Sequence, residues 1–242
     1  MSPQGIAVVA GAGPGLGAGI ARRFAAAGLT VALVARKEER LRELADEIAA
    51  QGGHAFPAPA DIRDEDAVAD LFAAIEADHG PIEAVAFNAG AQFRAPLLET
   101  PAHMFEKVWR LGCYAGFVVG REAARVMAPR GRGSILFTGA TAAIRGGDGF
   151  AAFAASKFGL RALAQSMARE FGPQGLHVAH IIVDGLIDTA TIRARFPEIV
   201  ADMPADGMLS PDAIGQVYVD LHLQPRSAWS FEVDLRPWSE NF

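Results

Sequence analysis

The most informative stretch of the chain reads Ala10-Gly11-Ala12-Gly13-Pro14-Gly15-Leu16-Gly17, between a short apolar run and a helical pattern. Glycine lets the backbone turn sharply and lets a phosphate approach a helix start, where free N–H groups and the helix dipole favour negative charge. No Lys-Ser or Lys-Thr pair follows the last glycine, which excludes a P-loop. A glycine turn without a ligand is the alternative, but the flanking strand and helix favour a nucleotide site. We therefore predict cofactor contacts at Gly11, Gly13, Gly15, Leu16 and Gly17.

The rest of the chain alternates short β-branched runs with longer segments in which apolar residues recur three and four positions apart. This alternation is typical of βαβ units. It predicts an α/β protein with a doubly wound Rossmann fold, built on a seven-stranded, mostly parallel sheet with helices on both faces. The predicted strands cover residues 6–10, 30–35, 54–58, 84–88, 134–138, 178–183 and 229–235. Two long helices are predicted over residues 101–127 and 151–171.

The chain contains no linker that would divide its 242 residues, so we predict a single Rossmann-fold domain over residues 1–242. The least regular segment is 188–211, which is rich in turn-forming residues near its end. Residues 189–211 are accordingly predicted to form a mobile flap over the substrate.

Composition and net charge disfavour several classes of function for this chain. The 22 Lys and Arg residues against 28 Asp and Glu give a net charge of −6, without the basic surface that nucleic acids or anionic membranes require. The start of the chain lacks the features of a signal peptide, and the lone Cys113 cannot form an internal disulfide, so a cytoplasmic location is expected. His103, His177 and His180 show no ligand-like spacing, so no metal is expected. A small-molecule substrate is the expected partner.

The residues after the second predicted strand bear on which dinucleotide is bound. An acid at the strand end would bind the ribose 2′-hydroxyl, whereas basic residues accept a 2′-phosphate. Arg36 and Lys37 stand there, which favours NADP(H) over NAD(H), with Arg36 on the phosphate. NAD(H) is the less favoured alternative, because Glu38 or Glu39 is placed to act on a hydroxyl and the two cations would then be solvated surface charges.

The pattern Gly11-xxx-Gly15-x-Gly17 resembles the glycine motif of the short-chain dehydrogenase/reductase family. The resemblance recurs along nearly the whole chain. It implies a Rossmann sheet, a nicotinamide cofactor, and assembly as a homodimer or homotetramer. The further cofactor-binding residues that it implies are Asp61 and Ile62 at the adenine, Asn88, Ala89 and Gly90 after the fourth strand, Lys157 at the nicotinamide ribose, and Gly185 and Thr189 beside the nicotinamide.

The family's catalytic residues are where the match fails. The family has a Tyr-xxx-Lys pair, a Ser thirteen residues before the Tyr, and an Asn on an upstream helix. Here Lys157 is kept, but Phe153 stands at the Tyr position, Ala140 at the Ser position and Gly112 at the Asn position. Since a positioned general acid commonly contributes about 10² to 10⁴-fold, ordinary ketone reduction is expected to be strongly impaired.

Two nearby side chains could replace the missing groups. Thr141 follows Ala140 and would supply a hydroxyl, and Asp184 stands near the nicotinamide, where a carboxylic acid could donate a proton. A loop acid that caps a neighbouring turn is the more common role for an aspartate at such a site.

Three functions stay open on these residues. The first is an NADP(H)-dependent oxidoreductase with a non-standard proton donor, acting on activated carbonyls, imines or conjugated alkenes. The second is a catalytically silent NADP(H)-binding sensor or inactive subunit. The third is a non-redox enzyme with an apolar pocket lined by Phe150 and Phe153.

Overall fold

A computed structural model describes residues 5–240 of the chain. Its seven strands form one sheet in the order β3-β2-β1-β4-β5-β6-β7, and every strand pair in this part of the chain is parallel. The strands are β1 (Ile6–Ala10), β2 (Thr30–Val34), β3 (His54–Pro57), β4 (Ile82–Phe87), β5 (Ser134–Thr138), β6 (His177–Val183) and β7 (Glu232–Leu235). The predicted doubly wound Rossmann fold is confirmed.

Helices cover both faces of the sheet, and each face has its own apolar core. Val8 of β1 packs with Phe72 and Leu160 on one face, while its neighbour Val9 packs with Phe24 and Leu41 on the other. Strands buried on both faces are rich in apolar residues, and β1 is apolar at all five of its positions. The helices are α1 (Leu16–Ala26), α2 (Glu38–Ala50), α3 (Glu65–Asp78), α4 (Ala102–Trp109), α5 (Ala115–Met127), α6 (Ala151–Phe171), α7 (Ala190–Arg195), α8 (Pro197–Ala201) and α9 (Pro211–His222).

The helix predicted over residues 101–127 is confirmed as a helical segment over 102–127, but it is not α-helical throughout. A π-helical turn, Arg110–Tyr114, separates α4 from α5. The turn holds Gly112, which is buried against α6, where a Cβ would collide with the Ser156 hydroxyl. Such wide turns often occur at functional sites, and this one lies at the position that the resemblance assigns to a catalytic residue.

The segment predicted to be a flap, 189–211, contains the short helices α7 and α8. Its two ends are tied together, because Asp188 N donates to Leu209 O at 2.8 Å and Leu209 N donates to Leu186 O at 2.9 Å. Within residues 5–240, no helix combines the length and the apolar character needed to span a bilayer.

The strand order reverses between β1 and β4. In open parallel sheets, ligands bind at the carboxyl ends of the strands that flank such a switch point. The glycine loop follows β1 and Asn88 follows β4, so both lie at this edge of the sheet.

Candidate active site

The glycine loop is held tightly against the end of β4. Gly11 has a φ of +101°, and a Cβ there would come within 2.9 Å of Ala89 N. Asn88 Nδ2 donates to Gly11 O at 3.3 Å, and a Cβ at Gly17 would collide with the same carbonyl oxygen. No residue other than glycine fits Gly11 and Gly17 without moving the loop.

The start of α1 is left open for an anion. Gly15 is its N-cap residue, and no side chain makes a capping hydrogen bond there. A Cβ at Gly13 would meet no atom within 4 Å, so the loop faces open space at that point. Free N–H groups at an uncapped helix start fit the pyrophosphate of a dinucleotide. The loop therefore suits the predicted cofactor.

A cavity of about 360 Å³ adjoins the glycine loop at the predicted adenosine end. Gly11, Arg36, Asp61, Ile62 and Ala89 of the predicted set line it. Lys37 does not; it is exposed at the start of α2.

Sequence reasoning missed Arg63, which also lines this cavity. Its Nε donates to Asp61 Oδ1 at 2.9 Å and its Nη2 to Asp61 Oδ2 at 2.5 Å. The hydrogen bonds from Arg63 lower the pKa of Asp61 to about 2, and the charge of Arg36 contributes to the shift. Asp61 is thus ionised and already paired at neutral pH. The sequence signal for this ion pair is that Asp61 and Arg63 stand two positions apart.

A larger cavity, of about 640 Å³, lies at the carboxyl ends of β4, β5 and β6. The predicted site residues that line it are Leu16, Asn88, Gly90, Ala140, Thr141, Phe153, Lys157, Gly185 and Thr189. Gln92 lines both cavities, so the two meet along a single groove. The predicted residues Gly112 and Asp184 do not line the larger cavity.

Lys157 is the buried cation of the larger cavity. Only 5% of its surface is exposed, and its Nζ donates to Thr138 O at 2.7 Å. Burial lowers its pKa to about 8, because desolvation disfavours the ammonium form. Its Nζ lies 5.9 Å from the centroid of the Phe153 ring, one helical turn earlier on α6. The ring therefore stands beside the ammonium and offers it no hydroxyl.

The chain has two tyrosines, and neither replaces the missing phenol. The Tyr114 hydroxyl bonds to Glu65 on α3, away from the cavity. Tyr218 is fully buried, its OH lies 2.6 Å from Thr138 Oγ1, and burial raises its pKa. Neither ring lines the cavity.

The structure brings Thr141 and Asp184 into contact, but only Thr141 lines the cavity. The Thr141 hydroxyl lines the cavity and donates to the Asp184 carboxylate. Asp184 is 5% exposed, and its other oxygen lies 3.6 Å from Arg236 Nη2. A carboxylate that pairs with a guanidinium and accepts from a hydroxyl acts as an acceptor and holds Thr141 in place.

A side chain of α6 fills the space beside Gly112. The Ser156 hydroxyl occupies the space next to its Cα and donates to Val108 O at 3.3 Å. The Ser156 hydroxyl thus occupies the space that a side chain at position 112 would need.

Sequence reasoning also missed a partly buried ion network near Lys157. Arg161 donates twice to Glu232 at 2.7 Å, and His180 Nδ1 lies 2.9 Å from the same carboxylate. Desolvation lowers the pKa of His180, while the bond to Glu232 raises it. The residues are 71 and 52 positions apart, so no local pattern announces the network. Among the described residues, no group of three or more His, Cys, Asp or Glu side chains is placed to hold a metal ion.

Comparison with known proteins shows the family to which this chain belongs. A family model described as short chain dehydrogenase covers residues 5–199. Gluconate 5-dehydrogenase of Gluconobacter oxydans (strain 621H) is 37% identical over 172 residues, which are 71% of this chain and 67% of that protein.

Two solved structures extend the match to almost the full chain. A short-chain dehydrogenase from Rhodopseudomonas palustris is 46% identical with a TM-score of 0.83, covering 97% of this chain and 99% of that one. A metagenomic short-chain oxidoreductase in complex with NADP is 28% identical with a TM-score of 0.84, covering 99% of each chain. With its glycine loop, parallel sheet and buried Lys157, the chain belongs to the short-chain dehydrogenase/reductase family.

Proposed function

We propose that this protein is an NADP(H)-dependent oxidoreductase in which Lys157 supplies the proton that the family's tyrosine would supply. The cofactor would lie along the groove, with Gly11, Gly13, Gly15, Leu16 and Gly17 at its pyrophosphate. When bound, the reduced nicotinamide provides a hydride. The residues assigned above on resemblance to the adenine, ribose and nicotinamide keep those roles: Asp61 and Ile62, Asn88, Ala89 and Gly90, Lys157, Gly185 and Thr189.

The proposal rests on the place of Lys157 in the cavity and on its lowered pKa. Lys157 lines the cavity, and burial lowers its pKa to about 8, which makes its ammonium a stronger acid than that of an exposed lysine. A general acid works best when its pKa lies near the operating pH. After hydride reaches the substrate carbon, the ammonium proton passes to the substrate oxygen or nitrogen, and the neutral amine takes its proton back from solvent.

A second candidate function is that of a silent NADP(H)-binding protein. One observation favours it: the Ser156 hydroxyl packs into the space beside Gly112. The apolar side chains of Ala140 and Phe153 on the cavity wall are consistent with it. In that case the cavity would bind the dinucleotide and a ligand without turnover.

A panel of activated carbonyls, imines and conjugated alkenes separates the two functions. We expect NADPH consumption with at least one class, falling at least about tenfold in Lys157→Met because the proton donor is lost. NADPH binding is measured separately by fluorescence titration in both proteins. Binding without consumption across the panel would replace the first function by the second.

Arg36 is proposed to bind the 2′-phosphate of NADP(H). Arg36→Gln is expected to weaken NADPH binding by about 10 to 100-fold and to leave NADH binding nearly unchanged, because charge-assisted hydrogen bonds to phosphate are lost. Dissociation constants from fluorescence titration measure this. Lys37→Gln is the matched control, since Lys37 lies outside the cavity lining and should have a smaller effect. A wild-type protein that binds NADH more tightly than NADPH would contradict the assignment.

Assembly and flap movement also belong to the proposal. Phe105, Trp109 and Phe117 on α4 and α5 are about two-fifths exposed, which supports burial in a homodimer or homotetramer. Thr189 and Ile192 line the cavity, which supports the flap 189–211 as its cover.

A further inference from the structure

The rim of the active-site cavity carries two arginine side chains without acidic partners. Arg145 lines the cavity and is exposed. The Arg94 guanidinium carbon lies 5.2 Å from the centroid of the Phe150 ring, which also lines the cavity. Neither guanidinium makes a hydrogen bond or ion pair with another side chain in the described part of the molecule. Ala95 N donates to Gly149 O at 3.0 Å, so the loops that carry the two arginines are joined at this rim.

All charge on the cavity lining is positive. Arg145 and Lys157 line it, and within residues 5–240 no acidic side chain does. Asp148 is exposed on the Arg145 loop but outside the lining, and Asp184 faces Thr141 and Arg236 instead. An anionic ligand would therefore meet only cations in the cavity.

The two cations lie at different depths. Lys157 is 5% exposed and held on Thr138 O, whereas Arg145 is exposed at the opening. Apolar side chains form the wall around the substrate space: Phe150, Phe153, Leu186, Ile187 and Ile192. A ligand that fills this space has an apolar body, with one polar end at Lys157 and the other at Arg145.

We propose that the substrate is an apolar carbonyl compound with a carboxylate remote from the reacting carbonyl, and that Arg145 is the specificity-determining residue that binds this carboxylate. This rests on the proposed function, because it places the reacting carbonyl at Lys157. The planar guanidinium pairs with a carboxylate through two parallel hydrogen bonds, which fixes direction as well as charge. Arg94, stacked on Phe150, adds positive potential at the same rim.

Matched aryl keto acids and their methyl esters test the proposal. The probes are ω-benzoyl alkanoates of increasing chain length, titrated by calorimetry into the protein saturated with NADP⁺, which cannot reduce them, and into the free protein. We expect at least one acid to bind about tenfold more tightly than its ester at low salt, with the advantage shrinking as ionic strength rises. Arg145→Gln should remove the preference. Arg169→Gln, which removes an equal charge from the exposed last turn of α6, should keep it.

Equal binding of acid and ester, a preference that survives in Arg145→Gln, or no binding of any acid would each overturn the proposal. A separate NADPH titration reports on the proposed function. If NADPH does not bind, the proposed function fails, and the titrations of the free protein still decide whether Arg145 selects a carboxylate.

Discussion

A variant with Ala140→Ser and Phe153→Tyr is expected to reduce simple aryl ketones with NADPH at least about 10²-fold faster than the parent protein. Residues 140 and 153 both line the cavity, so the new hydroxyls would face the substrate. The phenol at position 153 would stand beside the Lys157 ammonium, whose Nζ is 5.9 Å from the present ring centroid. That positive charge favours the phenolate and makes the phenol a better acid at neutral pH.

Phe150→Tyr is the matched control for this gain. It adds the same phenol to the same cavity, three residues earlier in the chain, where the ring contacts Arg94 instead of Lys157. We expect no gain from it. Rates of NADPH oxidation at saturating ketone measure the difference, with NADPH affinity determined separately. A restored variant that binds NADPH and stays inactive would show that the absent hydroxyls do not explain the parent's behaviour.

The folding stability of the protein is expected to depend on Lys157 ionisation. Its pKa is about 8 in the folded protein against 10.5 in an exposed lysine. Below pH 8 both states carry the proton, and the folded state bears the full cost of the buried ammonium. Between pH 8 and 10.5 the unfolded chain keeps the proton that the folded protein has lost, so this group makes stability rise with pH. The total rise is about 3 kcal/mol.

Comparison with Lys157→Met isolates this contribution. The variant removes the buried charge, so its advantage in free energy of unfolding over the parent should shrink by about 2 to 3 kcal/mol between pH 7 and 10. Tyr218 and Cys113, whose pKa values are raised by burial, lower the stability of both proteins alike at high pH and cancel. Urea unfolding at several pH values provides the measurement.

Lys107→Met serves as the control, because Lys107 is exposed on α4. The difference in free energy of unfolding between Lys107→Met and the parent should not change between pH 7 and 10. A constant difference between Lys157→Met and the parent would mean that Lys157 is solvated and its pKa unshifted.

Local pattern was sufficient for most of the fold. The predicted strands at 6–10 and 134–138 match β1 and β5, and the predicted helix at 151–171 matches α6, because alternation and turn residues act over a few positions. The predicted helix at 101–127 is observed, but its π-helical turn at Arg110–Tyr114 could not be predicted. Apolar periodicity continues through that turn, and the contact with Ser156 that accompanies it comes from another helix.

The candidate site was predictable only as far as motif spacing reaches. The family resemblance assigned Phe153 and Ala140 to the Tyr and Ser positions, and both residues line the same cavity as Lys157. The partners of these groups come from distant parts of the chain and leave no local signal. Lys157 donates to Thr138 O at the end of β5. The Asp184 carboxylate accepts from the Thr141 hydroxyl and lies near the Arg236 guanidinium.

The contact between Gly112 and Ser156 makes substitution at position 112 different from substitution at positions 140 and 153. Ala140 and Phe153 both line the open cavity, so a hydroxyl introduced at either position has space beside it. An asparagine at 112 would first require the Ser156 hydroxyl to give up its bond to Val108 and rotate away. Substitutions at 140 and 153 are therefore independent of Ser156, whereas the outcome of Gly112→Asn depends on which residue stands at position 156.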